Sequence, residues 1–197
     1  SSFQYQGKQD KAIEACRKAI SIRSDYAEAH KNLGLAVLYD GQIKEGLDEY
    51  EWRWKTDICF SNQRFFSRPM WDGKQSLKGK RILVWSEQGI GDTINWSFYL
   101  SFLTSQATHC ILECQEKLVP LLSRSFPNLE VKPVNTRSDL QRDDFDFHLP
   151  MGSLYKHFFQ EIVQKDRVFK CFYCLLPLPF IFKSNTQIVI SRDKIRI

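Results

Sequence analysis

Apolar residues recur at helical spacing through the first quarter of the chain and then give way to short unbroken apolar runs. Ala12, Ile13, Cys16, Ala19 and Ile20 share one face of a helix predicted over about residues 9 to 22. Ala29, Leu33, Ala36 and Val37 do the same over 27–39, and Ile43, Gly46, Leu47, Tyr50 and Trp54 over 43–54. Asp40-Gly41 predicts the turn between these last two helices. Gly7 aligns with Gly41, Ala12 with Gly46 and Cys16 with Tyr50, each pair 34 residues apart, so residues 1–54 read as one and a half units of a helical-hairpin repeat. His30, a lone histidine inside this pattern, is expected to pack at a helix crossing rather than to bind a ligand.

Residues 55–78 lose the helical period and carry Pro69, Gly73 and the aromatics Phe65, Phe66 and Trp71. They predict an ordered linker, stopped by Trp71-Asp72-Gly73, whose aromatics dock the repeats on the next domain. Arg81 to Trp85 then reads as a strand buried on both faces. Further strands are predicted at His109 to Glu113, Leu129 to Val134 and Phe145 to Leu149, with helices from Asp92 to about Ser105 and from Leu118 to Phe126. Pro120 is tolerated in the first turn of the second helix. A polar loop with Arg137, Asp139, Arg142, Asp143 and Asp144 precedes the fourth strand. Alternation at this spacing predicts a parallel, Rossmann-like sheet over 79–168, and residues 169–197 stay unassigned. The glycines at 89 and 91 are expected to free the backbone for a tight turn after the first strand, with Asp92 as the helix N-cap. Strand, glycine turn and helix N-terminus form the corner where open α/β sheets bind ligands, so a functional site is expected there.

Charge and cysteine usage narrow the chemistry. A net charge of +5 with scattered basic residues, and no Lys/Arg run interleaved with aromatics, argues against nucleic acid as a partner. Six cysteines without the density of a secreted scaffold, and no basic-then-apolar opening, point to a reducing, cytoplasmic setting. The longest apolar run, Cys171 to Phe182, has 12 residues and two prolines, too few to span a bilayer. Cys171 and Cys174 lack a second pair at ligand spacing, so no metal is expected. Gly89-x-Gly91 after a strand, with Glu113 lying 22 residues beyond Gly91, raises the question of a dinucleotide site. Ile94 at the third glycine position and Asp92 where a pyrophosphate would sit argue against it, Glu113 reads equally as a solvated strand-end charge, and no cofactor is expected.

Leu33-Gly34, the small residues Ala12 and Gly46, and the aromatic Tyr50 resemble the close-packing positions of tetratricopeptide helices. Ser24 stands where that family usually has proline, and His30 where it often has tryptophan. After these units come Trp71-Asp72-Gly73, a short lead-in to Gly79-Lys80, the strand, Glu87-Gln88-Gly89-Ile90-Gly91-Asp92-Thr93-Ile94, and later Phe145-Asp146-Phe147-His148-Leu149-Pro150. In that order they resemble the tetratricopeptide-linked glycosyltransferase proteins of bacteria. The α/β part is similar to the acceptor-side half of heptosyltransferases, which have the two-domain GT-B fold. The resemblance implies a fragment that binds a sugar or peptide acceptor, for transfer of a sugar from a nucleotide-sugar to a hydroxyl. It makes Asp92 the candidate base, with Glu87, Gln88, Gly89, Gly91 and His148 around the acceptor. Capping by Asp92 competes with that role, because a helix N-terminus stabilises the carboxylate and weakens it as a base. His148 reads also as a strand-end histidine bonded to backbone. Only about 30 residues follow the expected domain end at 168, too few for the donor-binding domain, so the fragment is expected to be inactive alone. The alternative is a non-catalytic module whose repeats bind a protein partner.

Overall fold

A computed structural model describes residues 2–57, 63–135 and 141–164. Three helices open the chain: α1 (Ser2–Ile22), α2 (Ala27–Tyr39) and α3 (Ile43–Tyr50). Ile13, Leu33, Ala36 and Val37 close their core, with Cys16 and Ile20 packed alongside. Ile13 is buried as expected, whereas Ala12, also expected to face inward, is exposed. Gly41 makes the α2–α3 turn in the left-handed region, at φ 86°, where a Cβ would be strained. His30 packs as expected: its ring stacks on Trp52 at 3.8 Å, Nδ1 lies 2.6 Å from Glu49 Oε2 and Nε2 2.9 Å from the Ser24 carbonyl.

The third helix ends four residues before its expected limit. Past Tyr50 the backbone tightens into a 3₁₀ turn over Glu51–Lys55. This turn carries Trp54 away from the repeat and onto the sheet, its ring 5.5 Å from that of Trp85. The sheet offers the indole a larger apolar surface than the small repeat core, and burial decides its direction.

Four strands, β1 (Arg81–Trp85), β2 (His109–Cys114), β3 (Glu130–Pro133) and β4 (Phe147–Pro150), form one sheet in the order β3-β2-β1-β4, every pairing parallel. Each strand falls within two residues of its predicted limits. Ile82 and Val84 of β1 enter the core on one face, and Leu83 and Trp85 enter a second core on the other. The single helix expected after β1 starts earlier and breaks, giving α4 (Ile90–Ser97) and α5 (Leu100–Thr104). After β2 comes α6 (Val119–Ser125), with its proline in the first turn. A helix that the sequence pattern had not disclosed, α7 (Leu154–Gln164), follows β4 and buries Leu154 and Phe158 in the same core as Trp96 and Leu100.

The linker is ordered where it is described. Trp71 is buried, its backbone N–H donates to the His148 carbonyl at 2.9 Å, and Met70 forms an isolated parallel bridge with His148, so the segment runs along the outer edge of β4. Gly73 has φ 84° and faces His157 so closely that a Cβ would stand 2.4 Å from Nδ1. Phe66 lies against Trp85, Phe145 and His148, whereas Phe65 remains 55% exposed. Arg137, Asp139, Cys171, Cys174 and the whole of 169–197 lie outside the described residues. Among the described residues no helix is long and apolar enough to cross a membrane.

Candidate functional site

The loop after β1 is built differently from its sequence expectation. Gly89 is the N-cap residue, with φ −68° and ψ 174°, and Ile90 is already helical. Asp92 therefore sits in the first turn of α4 and makes no capping hydrogen bond. Neither Gly89 nor Gly91 has positive φ; within the described residues that conformation falls to Gly41, Gly73 and Gly79. A Cβ on Gly91 would meet nothing within 4 Å, and one on Gly89 only the Asp92 carboxylate at 3.5 Å. The glycines thus leave bare backbone beside a half-buried acid.

Two other acids at this end of the sheet are each paired with arginine. Glu87, expected beside the acceptor, is buried and accepts from Arg53 Nη2 at 3.0 and 3.1 Å. Arg53 is wholly buried between the Tyr50 and Trp54 rings, at 4.8 and 4.7 Å. Its Nη1 donates to Glu51 at 2.6 Å and its Nη2 to Ser153 Oγ at 3.0 Å, and Ser153 in turn donates to Glu51 at 3.0 Å. One guanidinium is thus shared by two carboxylates. Burial pushes the Glu87 carboxyl up to about 7, against the pull of Arg53, and the Glu51 charge adds to the rise. For Arg53, burial opposes the charge, but the two carboxylates prevail and its pKa is raised. A Cβ on Gly152 would stand 2.1 Å from Glu87 Oε1, so that glycine is what admits the acid.

Glu113, at the end of β2, is 3% exposed rather than solvated. Arg64 Nη1 lies 2.7 Å from one carboxylate oxygen, and Arg142 Nη1 donates to the other. Arg142 also grips Asp144 in a two-pronged contact at 2.9 and 2.8 Å, which raises the arginine pKa and holds the Asp144 carboxyl below its usual range. Two arginines lie against the Glu113 carboxylate, so it is not the free strand-end acid that a ribose site needs. No described cation or hydrogen-bond donor contacts the Asp92 carboxylate in this way.

A chain of hydrogen bonds braces the loop that holds Asp92. Gln88 Nε2 donates to the Tyr50 hydroxyl at 2.8 Å, and the Gln88 carbonyl accepts from Gln115 Nε2 at 2.5 Å. Thr93, fully buried, places its hydroxyl 3.0 Å from Gln115 Oε1 and 3.1 Å from the Gly89 carbonyl. His148 does not join this group. It is buried within β4, opposite Leu83 in the register, and accepts from Trp85 Nε1 at 3.3 Å beside Phe66, on the face opposite the core that α4 covers.

Sequence reasoning brought Glu87, Gln88, Gly89, Gly91 and Asp92 to one loop, but it missed Arg53, Ser153 and Gln115. The one local signal for Arg53 was an arginine flanked by Trp52 and Trp54. Among the described residues no group of three His, Cys, Asp or Glu side chains could hold a metal ion.

Residues 2–41 match the family model described as TPR repeat. Protein FlbA of Caulobacter vibrioides is 30% identical over 121 residues, which cover 60% of this chain and 20% of FlbA. The chain therefore spans about a fifth of the length of that relative. No solved structure matches it. The N-terminal helices are a TPR repeat, and a four-stranded parallel sheet flanked by helices follows them.

Proposed function

We propose that the sheet is the acceptor-binding half of a glycosyltransferase-like protein of the GT-B type, with the TPR helices as its protein-binding arm. The observation that carries the reading is the contrast among three acids at one end of the sheet. Glu87 and Glu113 are bound by arginines, and Asp92 stands half-buried in the first turn of α4 with no cation from the described residues against it. In the proposed reaction an acceptor hydroxyl oxygen forms a bond to the anomeric carbon of a nucleotide-sugar. The bond from that carbon to the phosphate oxygen breaks, the nucleoside diphosphate leaves with the electron pair, and Asp92 takes the hydroxyl proton. Bare backbone at Gly89 and Gly91 lets an acceptor approach the carboxylate closely.

The test is Asp92→Asn in the polypeptide encoded by the complete gene, read as transfer of labelled sugar from nucleotide-sugar donors. A base of this kind contributes about 10²–10⁴-fold, so the rate is expected to fall at least a hundredfold. An unchanged rate removes Asp92 from the chemistry. The second reading, a non-catalytic interaction module, is favoured by the TPR match itself. It predicts no transfer by the unaltered protein, together with partner binding that is lost when the repeat surface is changed.

A further inference from the structure

Asp92 lies between two residues whose positions are set by other parts of the fold. The side-chain amide of Gln115, the first residue after β2, reaches both sides of the loop: its nitrogen donates to the Gln88 carbonyl at 2.5 Å, and its oxygen faces the Thr93 hydroxyl at 3.0 Å. A planar amide has a fixed separation between donor and acceptor, so this bridge sets the distance from the residue before the glycines to the residue after Asp92. On the opposite side the Gln88 amide donates to Tyr50, at the C-terminal end of the last repeat helix. Tyr50 is in turn held by its neighbours: its backbone nitrogen lies 2.7 Å from where a Cβ of Gly34 would stand, and the Arg53 guanidinium covers its ring at 4.8 Å.

We propose that Gln115 and Tyr50 are positioning residues that hold the Gln88–Thr93 loop, and with it the Asp92 carboxylate, so that the TPR repeat is a working part of the acceptor site and not only its tether. The proposal rests on the acceptor-site reading and deepens it. Its physical basis is that a carboxylate must stand within hydrogen-bond reach of the proton it removes, and that misplacement by about 1 Å costs on the order of a hundredfold in rate.

Two mild variants separate positioning from folding. Tyr50→Phe removes one hydroxyl and keeps the ring over Arg53; Gln115→Met keeps side-chain length and removes both polar contacts. In the present chain, the amide proton and nitrogen resonances of Gly89, Gly91 and Asp92 are expected to move in both variants while those of β1 and α2 stay in place. In the polypeptide encoded by the complete gene, Gln115→Met is expected to lower the transfer rate at saturating acceptor at least tenfold with acceptor KM within twofold, and Tyr50→Phe to lower it less. Loop resonances that coincide with the unaltered protein in both folded variants would overturn the positioning role, whatever Asp92→Asn does. Loop shifts combined with an undiminished rate in Asp92→Asn would instead sink the acceptor-site reading and leave the brace standing as a structural feature.

Discussion

In the helical repeat a methyl group on Gly34 would stand 2.7 Å from the Tyr50 backbone nitrogen, and one on Gly46 2.4 Å from Leu38 Cγ. In the loop after β1 a methyl on Gly91 would meet nothing within 4 Å, and one on Gly89 would make ordinary contact with Asp92 at 3.5 Å. Gly34 and Gly46 are there because two helices approach too closely for any side chain. Those in the loop answer no packing or torsional need, so what they provide is open space above a carboxylate. The two regions nevertheless meet through buried side chains, since Arg53 at the end of the repeat is held by Glu87 at the end of β1.

The largest test of that union is Arg53→Met. It leaves the buried Glu87 and the half-buried Glu51 without their cation, and removing one partner of a buried ion pair costs about 3–5 kcal/mol. At pH 8, where Glu87 must otherwise stay charged, the urea midpoint is expected to fall accordingly. A repeat that melts before the sheet in this variant would show that Arg53 is what makes the two regions one cooperative unit. A midpoint unchanged from the parent would break the comparison at its joint.

Next in size is the pH dependence of the same cluster. The folded-state pKa of Glu87, about 7, lies above its ordinary value of 4.5, so between those limits the folded chain keeps a proton that the unfolded chain has released. Stability from this group is therefore full below pH 4.5 and is lost as pH rises through 7, by roughly 3 kcal/mol in total. Glu130 and Asp144, whose carboxyls are held low by their basic partners, act in the opposite sense and lose stability as pH falls through their folded values. Subtracting the profile of Glu87→Gln from that of the parent isolates the Glu87 contribution. A difference curve flat from pH 4.5 to 8 would mean that Arg53 compensates the burial in full.

How far the sequence discloses these features depends on the range of the interactions. β1 was legible because Ile82 to Trp85 is an unbroken apolar run, and α2 and α3 because a 34-residue period repeats small residues at helix contacts. Both are local patterns. Arg53 was not legible: a charged residue at the end of an amphipathic helix reads as solvated, and its partners lie 34 and 100 residues away at Glu87 and Ser153. The same distance hid the burial of Glu87 and Glu113, since an acid following a strand looks alike whether water or an arginine covers it. Asp92 read as the helix N-cap but lies inside the first turn, because Gly89 in an extended conformation starts the helix two residues earlier. His148 read either as an acceptor contact or as a strand-end histidine bonded to backbone; the parallel bridge from Met70 covers that edge and leaves it inside.

Glycine-to-alanine changes separate the two regions directly. Gly34→Ala forces the Tyr50 backbone outward and is expected to cost about 1–3 kcal/mol, as overpacking in a close-fitted core does. Hydrogen exchange should rise in α2 and α3 while β1 and β2 stay protected. The smallest effect has the opposite sign. Gly91 is exposed within the first turn of α4, at a helical φ that alanine accepts and with open space at the Cβ position. Gly91→Ala should therefore stabilise the chain by about 0.5–1 kcal/mol, chiefly by restricting the unfolded backbone. For a chain of this size that is a rise of roughly 1–4 °C in Tm, measurable by scanning calorimetry. A gain in stability accompanied by weaker acceptor use would mean that glycine is kept here against the interest of the fold, for the approach of a ligand. A loss of stability would show that the loop has a packing partner at Gly91, and would make the two sets of glycines alike after all.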